Sequence, residues 1–384
     1  MAGNCRVLFK SFTYRLLQAN LRESHFCSLS IARRFSAEAR TDADRDPAPF
    51  FFNKDVQNLL KKLTRVDLHK VFRARKEGKD LKEPEYKFMS TEEVNKAVEE
   101  AWQRAEERLQ MPPFLLPTPD VCREICKDPE LQGYCDSKFL FTDITFGVCN
   151  EDRLIVARDP DGTLRHADRD ERFRCNQIYF PLPGRKLRTP HMFEEQHLKP
   201  LLDTGEYEFI LDRACVQFDP DSPDFCRVRD QTFDHVEKSR HFSKLRSTRH
   251  FGPLAFYLAW HRNIDSLLLD IVSDGRLDEA TALINLFHKL NPSSESAIAA
   301  AEYEGDDLGL IRLYISSSDC RRRGQLELAI QTLLELQKQQ ELVAEGIQHA
   351  HGTDDCGHCL PPLQSTRLLH HAGGKCPITG FDMA

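Results

Sequence analysis

Acidic side chains are almost missing from the first 35 residues, where Glu23 stands against Arg6, Lys10, Arg15, Arg22, Arg33 and Arg34. Long apolar runs are missing throughout, so no stretch has the 18 or more residues expected of a membrane-spanning helix. Also absent are the GxxxxGK[ST] phosphate loop, a GxGxxG turn after a strand, the HExxH zinc pair and the GxSxG elbow. Their absence removes the most recognisable nucleotide, metalloprotease and serine-hydrolase chemistries. Fifteen histidines are present, but none has a spacing signature that marks a general base or ligand.

The acid-poor opening segment is rich in arginine and serine, and Leu8, Phe9, Phe12 and Leu16 share one arc of a helical wheel. It lacks the continuous apolar stretch of a secretory signal. These features describe a mitochondrial transit peptide over residues 1–35, with cleavage between Phe35 and Ser36 after Arg33-Arg34 and delivery to the matrix. The alternative is a disordered basic arm. Removing the segment takes the formal net charge from −7 to −12. A chain so acidic is a poor general polyanion binder, and nucleic-acid contact then has to come from local basic patches. Thirteen cysteines could suggest a disulfide framework. Their odd number and scatter along a long chain favour reduced thiols instead. Cys122 and Cys126 are spaced as on one turn of a helix.

The expected fold class is α+β and predominantly α-helical, with a helical N-terminal segment, a small β-rich unit and a C-terminal helical array. Residues 36–52 read as a disordered linker. Residues 53–119 read as a helical segment ending in a proline-rich linker: Val56, Leu59, Leu60 and Leu63 fall at helical spacing. Ser90 and Glu93 then form a capping-box pair ahead of the stripe Val94, Ala97, Val98, Ala101, Ala105 and Leu109. Residues 120–192 read as the β-rich unit, with a hairpin turning at Asp159-Pro160-Asp161-Gly162. The acidic ligands of a calcium loop do not follow that turn. Asp168 and Glu171 are placed to cap a helix. Residues 193–340 read as helical, apart from a short extended piece near Phe225–Val228 and a break at Gly252-Pro253. Gly275-Arg-Leu277-Asp278-Glu-Ala280 and Gly324-Gln-Leu326-Glu327-Leu-Ala329 each open an amphipathic helix, as helical hairpins do.

Two basic clusters stand out. One holds Lys61, Lys62, Arg65, Lys70, Arg73, Arg75 and Lys76, and the other Arg229, Lys238, Arg240, Lys244, Arg246 and Arg249. The loop at Arg185-Lys186 adds a third, smaller patch. Cations at this density can neutralise phosphates, although a solvated or protein-facing surface would carry the same residues. The candidate RNA contacts are Lys61, Lys62, Arg65, Arg73, Arg75, Arg185, Lys186, Lys244, Arg246 and Arg249, and reversing Arg246 and Arg249 to Glu is expected to weaken incorporation into an RNA–protein particle. In the tail, residues 341–384, Cys356 and Cys359 with His370 and Cys376 could form a tetrahedral zinc site. A single CxxC in a glycine- and proline-rich stretch is weak grounds for one. The expectation is a disordered tail with no metal, no cofactor and no catalytic residue.

The stretches FTDITFGV, RLIVARDPDGTLRHADRDER, QIYFPLPGRKLRTPHMF, CVQFDPDS and LRSTRHFG together resemble one family, the metazoan mitochondrial ribosomal small-subunit protein twenty-two. The likeness runs from about Phe51 to about Gln340, is densest over 139–272, and leaves out the tail. It implies a non-catalytic constituent of the ribosomal small subunit in the matrix. Its partners would be other small-subunit proteins and small-subunit rRNA, with no membrane and no small-molecule substrate. A matrix helical-repeat adaptor acting outside the ribosome is the alternative that the paired Gly-x-Leu-[Asp/Glu]-x-Ala helices raise.

Overall fold

The computed structural model describes residues 45–73, 86–120, 122–133, 135–303 and 305–350. The transit-peptide junction at Phe35-Ser36, Arg75 and the Cys356–Cys376 cluster lie outside the described residues. Residues up to Leu333 form one compact unit, and those from Leu334 a second.

Local chemistry sets the first helices. Pro47 precedes α1 (Ala48–Phe51). Asn53 caps α2 (Lys54–Thr64) by accepting the Asp55 N–H, and Val56, Leu60 and Leu63 form its buried stripe. The end of the stretch expected to be a disordered linker is therefore ordered. Phe51 is buried edge-on against Phe256 at 5.2 Å, and Arg45 lies over Phe50 at 4.0 Å and Trp260 at 4.8 Å. A short α3 (Leu68–Val71) follows, capped by Asp67. Then comes α4 (Thr91–Arg108), whose Ser90–Glu93 capping box is formed in both directions. The proline-rich segment after α4 is not a free linker either. Phe114 is buried 5.2 Å from Phe256, while Arg229 stacks on its ring at 3.9 Å and donates to Leu115 O.

The β-unit is a four-stranded antiparallel sheet in the order β1-β4-β3-β2: β1 (Glu124–Lys127), β2 (Phe139–Thr142), β3 (Ile155–Arg158) and β4 (Thr163–His166). The turn at Asp159–Gly162 behaves as its sequence predicts. Gly162 has φ +84°, donates to Asp159 O at 3.0 Å, and sits so close to Asp128 O that no side chain fits there. Cys126 lies in β1, with a bulge between Glu124 and Cys126. The helical turn expected between Cys122 and Cys126 is thus replaced by an edge strand. Helix α5 (Arg169–Tyr179) covers one face, where Ile155, Ala167 and Cys175 pack together. The helix runs on through Ile178 and Tyr179, both exposed.

Glu171 ties this unit together. It completes the capping box with Asp168, pairs with Arg165 at 2.9 Å and with Lys138 at 2.7 Å. Those partners, Arg165 foremost, hold its carboxyl at about 2 against the usual 4.5.

Helices make up the rest: α6 (Glu195–Thr204), α7 (Tyr207–Gln217), α8 (Pro223–Ser239), α9 (Phe242–Leu245), α10 (Phe251–Trp260), α11 (Asp265–Ser273), α12 (Leu277–Leu290), α13 (Glu295–Ala301), α14 (Asp307–Ser316) and α15 (Arg323–Ala350). Residues 225–228, expected to be extended, lie in the first turns of α8. Pro223 at the first helical position presets the backbone, and Phe225, Val228, Thr232 and Val236 are buried at helical spacing. Gly252-Pro253 does not break the apolar run. Both sit in the first turn of α10, where a missing N–H costs nothing, and Met111 occupies the space that a side chain at 252 would need. Residues 251–259 are all buried, as befits a helix that is hydrophobic all round; α2 and α12 pack on α10. Residues 341–350, expected to belong to a disordered tail, continue α15.

The depressed Glu171 carboxyl has a testable sign. Its stabilisation is present above the unfolded value near 4.5 and is lost as pH falls toward 2. Glu171→Gln should be less stable than the parent at pH 7, and the two urea-unfolding midpoints should converge between pH 4.5 and 2. Midpoints that stay parallel over that range would show that the pairing does not stabilise the fold.

Candidate nucleic-acid interface

Burying one side of α2 against α10 and α12 turns Lys61 and Lys62 outward, and both are exposed. Arg65 follows at the end of the helix; half-exposed, it lies 3.8 Å from Glu279. Lys62 borders a groove of about 920 Å³ between α2, α12 and α13, where Lys289 pairs with Asp55 at 2.7 Å. That pairing holds the Asp55 carboxyl below its usual range.

The two main basic clusters, far apart in sequence, meet around α3. Lys70 Nζ donates to Ser243 O at 2.8 Å and Lys244 O at 3.0 Å, and its burial pushes its pKa below the usual lysine value. Beside it is a basin of about 370 Å³ lined by Lys70, Arg73, Arg108, Arg249, Glu208 and Asp212. Four cations thus face two carboxylates. Arg108 donates to Val71 O at 3.2 Å and lies over the Phe72 ring at 4.6 Å. Arg249 Nη2 pairs with Asp212 at 2.6 Å, and His250 Nε2 meets the same carboxylate at 2.8 Å. Burial lowers the His250 pKa, which favours the neutral ring.

The remaining sequence candidates separate into outward and inward groups. Arg73 and Lys186 are exposed. Lys244 is exposed but reaches Gly205 O at 3.3 Å. Arg185 turns inward, donating to Val216 O and to Asp219. Arg246 is buried, with Nη1 on Glu279 at 2.8 Å and Nη2 on Asp270 at 3.0 Å. Its assignment as an RNA contact is corrected: reversing it places a carboxylate among carboxylates in the interior, so the Arg246/Arg249 reversal reports folding, not RNA binding. Arg229 is likewise buried, on Asp230. Sequence reasoning missed Arg108, because its neighbours in the chain are glutamates and only the packing of α4 on α3 brings it to the basin.

Among the described residues, no group of three or more His, Cys, Asp or Glu side chains is arranged to hold a metal, and the eight described cysteines are not joined in disulfides. No helix among them is long and apolar enough to cross a membrane. The described residues thus form a mainly helical body with scattered outward cations. Residues 49–292 match the family model described as mitochondrial 28S ribosomal protein S22. Over 304 residues the chain is 36% identical to "Small ribosomal subunit protein mS22" of Mus musculus, covering 79% of this chain and 84% of that protein. Over 303 residues it is 35% identical to the protein of the same name from Bos taurus, with the same coverage. The chain belongs to the mitochondrial 28S ribosomal protein S22 family.

The inward and outward arginines and lysines should respond differently to truncation. Arg246→Ala leaves Glu279 and Asp270 short of a buried partner and should cost about 3–5 kcal/mol in urea unfolding. Lys62→Ala, on the exposed face, should stay within about 0.5 kcal/mol of the parent. Equal costs would contradict the placement of these side chains.

Proposed function

We propose that this protein is a structural constituent of the small subunit of the mitochondrial ribosome, located in the matrix and contributing to subunit assembly and mitochondrial translation. The observation that carries the reading is the family match over residues 49–292, which spans α1 through α12 and so takes in the central helix and the β-unit. The role is structural and not catalytic. The protein is held mainly by contacts with other small-subunit proteins and touches small-subunit rRNA locally. Lys61, Lys62, Arg73 and Lys186, exposed on an otherwise acidic chain, support contact with phosphates in patches and not along a continuous basic surface. Each phosphate so neutralised adds a salt-sensitive increment of affinity.

A tagged chain expressed in mitochondria should co-sediment with the 28S particle in sucrose gradients, and its depletion should lower the amount of assembled small subunit. Recovery wholly in the soluble fractions would overturn the assignment. For the rRNA contact, Lys61→Glu with Lys62→Glu should fold like the parent but bind a small-subunit rRNA fragment more weakly. The slope of log affinity against log salt should become shallower by about 0.7–0.9 for each phosphate that is no longer neutralised. An unchanged slope would assign these lysines to protein or solvent.

A further inference from the structure

Helix α4 is tied to the body near its C-terminal end, where Ala105 is fully buried and Arg108 holds Val71 O. Further up the helix the apolar stripe is about half exposed. Val94, Val98 and Trp102 are 45%, 44% and 45% exposed. Val94, Val98 and Ala101 follow the 4-3 spacing of a two-helix seam, with Trp102 beside it. The small side chains of Ala97 and Ala101 let a second helix approach closely. Tyr86, Phe88 and Met89, just ahead of the Ser90 cap, are exposed as well and lengthen the apolar surface. A contiguous apolar patch of this kind marks an interaction site.

Charge selects the occupant. Within α4, Glu92, Glu93, Glu99, Glu100, Glu106 and Glu107 outweigh Lys96, Arg104 and Arg108, for a net −3. Phosphates are repelled by such a helix, and so is the equally acidic α4 of a second copy. A helix carrying Lys or Arg beside its own apolar seam is complementary in both respects. We propose that the exposed face of α4 docks an amphipathic, basic-flanked helix of a neighbouring protein. The inference rests on the reading of the chain as a small-subunit constituent and gives one of its protein contacts a chemistry. The capping box holds α4 in helical form before the partner arrives, so docking carries little ordering cost for this side.

The test places a benzophenone amino acid at position 94 of the full chain in mitochondria, followed by irradiation and mass spectrometry of the adducts. The expected product is an adduct to another protein, within a segment that has apolar residues at three- and four-residue spacing and more Lys and Arg than Asp and Glu. Adding Val98→Asp and Trp102→Ser, both at exposed positions, should lower that adduct at least tenfold without moving the melting temperature. An adduct to RNA, to a second copy of this chain, or to an acidic or aperiodic segment overturns the proposal. So does the lack of a protein adduct, or one undiminished by the double substitution. Sedimentation of the same labelled chain is read separately: a chain outside the particle fails the ribosomal reading, whereas a chain within the particle without the expected adduct fails this one.

Discussion

The guanidinium of Arg246 is the group around which the helical body closes. It leaves the end of α9, meets Asp270 on α11 and Glu279 on α12, and lies over the Phe251 ring at the start of α10. Glu279 also takes Arg276 at 3.0 Å and attracts Arg65 from the end of α2. Five helices are thus referred to one small set of charges. A buried ion pair contributes little net stability compared with an apolar core of equal volume. Its effect is on uniqueness, because any other arrangement of these helices leaves a charge in the interior without a partner. The hydrophobic energy comes from the nine buried residues of α10 and the stripes packed against it.

How far the fold could be read from the sequence depended on whether its cause was local. The capping boxes at Ser90–Glu93 and Asp168–Glu171, and the turn at Asp159–Gly162, are short-range chemistry and were legible. The fate of Phe225–Val228 turned on Pro223 acting as a helix starter, against residues that favour strands. The Cys122–Cys126 spacing suggested a helix because β1 is made by pairing with β4, some 40 residues away in the chain, which no local pattern reports. Gly252-Pro253 read as a break because helix propensity does not register that both fall in a first turn.

The candidate interface was legible in composition and not in direction. Lys61, Lys62, Arg246 and Arg249 look alike as letters in basic runs. Their roles diverge because Leu60 and Leu63 bury their side of α2 and leave the lysines outside, while Asp270, Glu279 and Asp212 lie within reach of the arginines. A carboxylate that neutralises an arginine from a distant helix is invisible until the chain is folded. The same holds for Arg108, a member of the basin that no run of charge announced.

Asp265, at the start of α11, has a consequence of a different kind. Its buried carboxylate accepts the Tyr314 hydroxyl at 2.8 Å through one oxygen, and the Arg321 and Arg322 N–H groups at 2.7 and 3.1 Å through the other. One side chain therefore closes off the end of α14 and the approach to α15. Opening the Tyr314 bond alone strands a buried hydroxyl and Oδ1, whereas the two amides share Oδ2 and both must leave before it loses its partners. The backbone amides of residues 321 and 322 are held by a carboxylate of α11, so freeing them requires this loop to part from that helix. The last part of the first compact unit is thereby pinned to α11 through a single buried side chain.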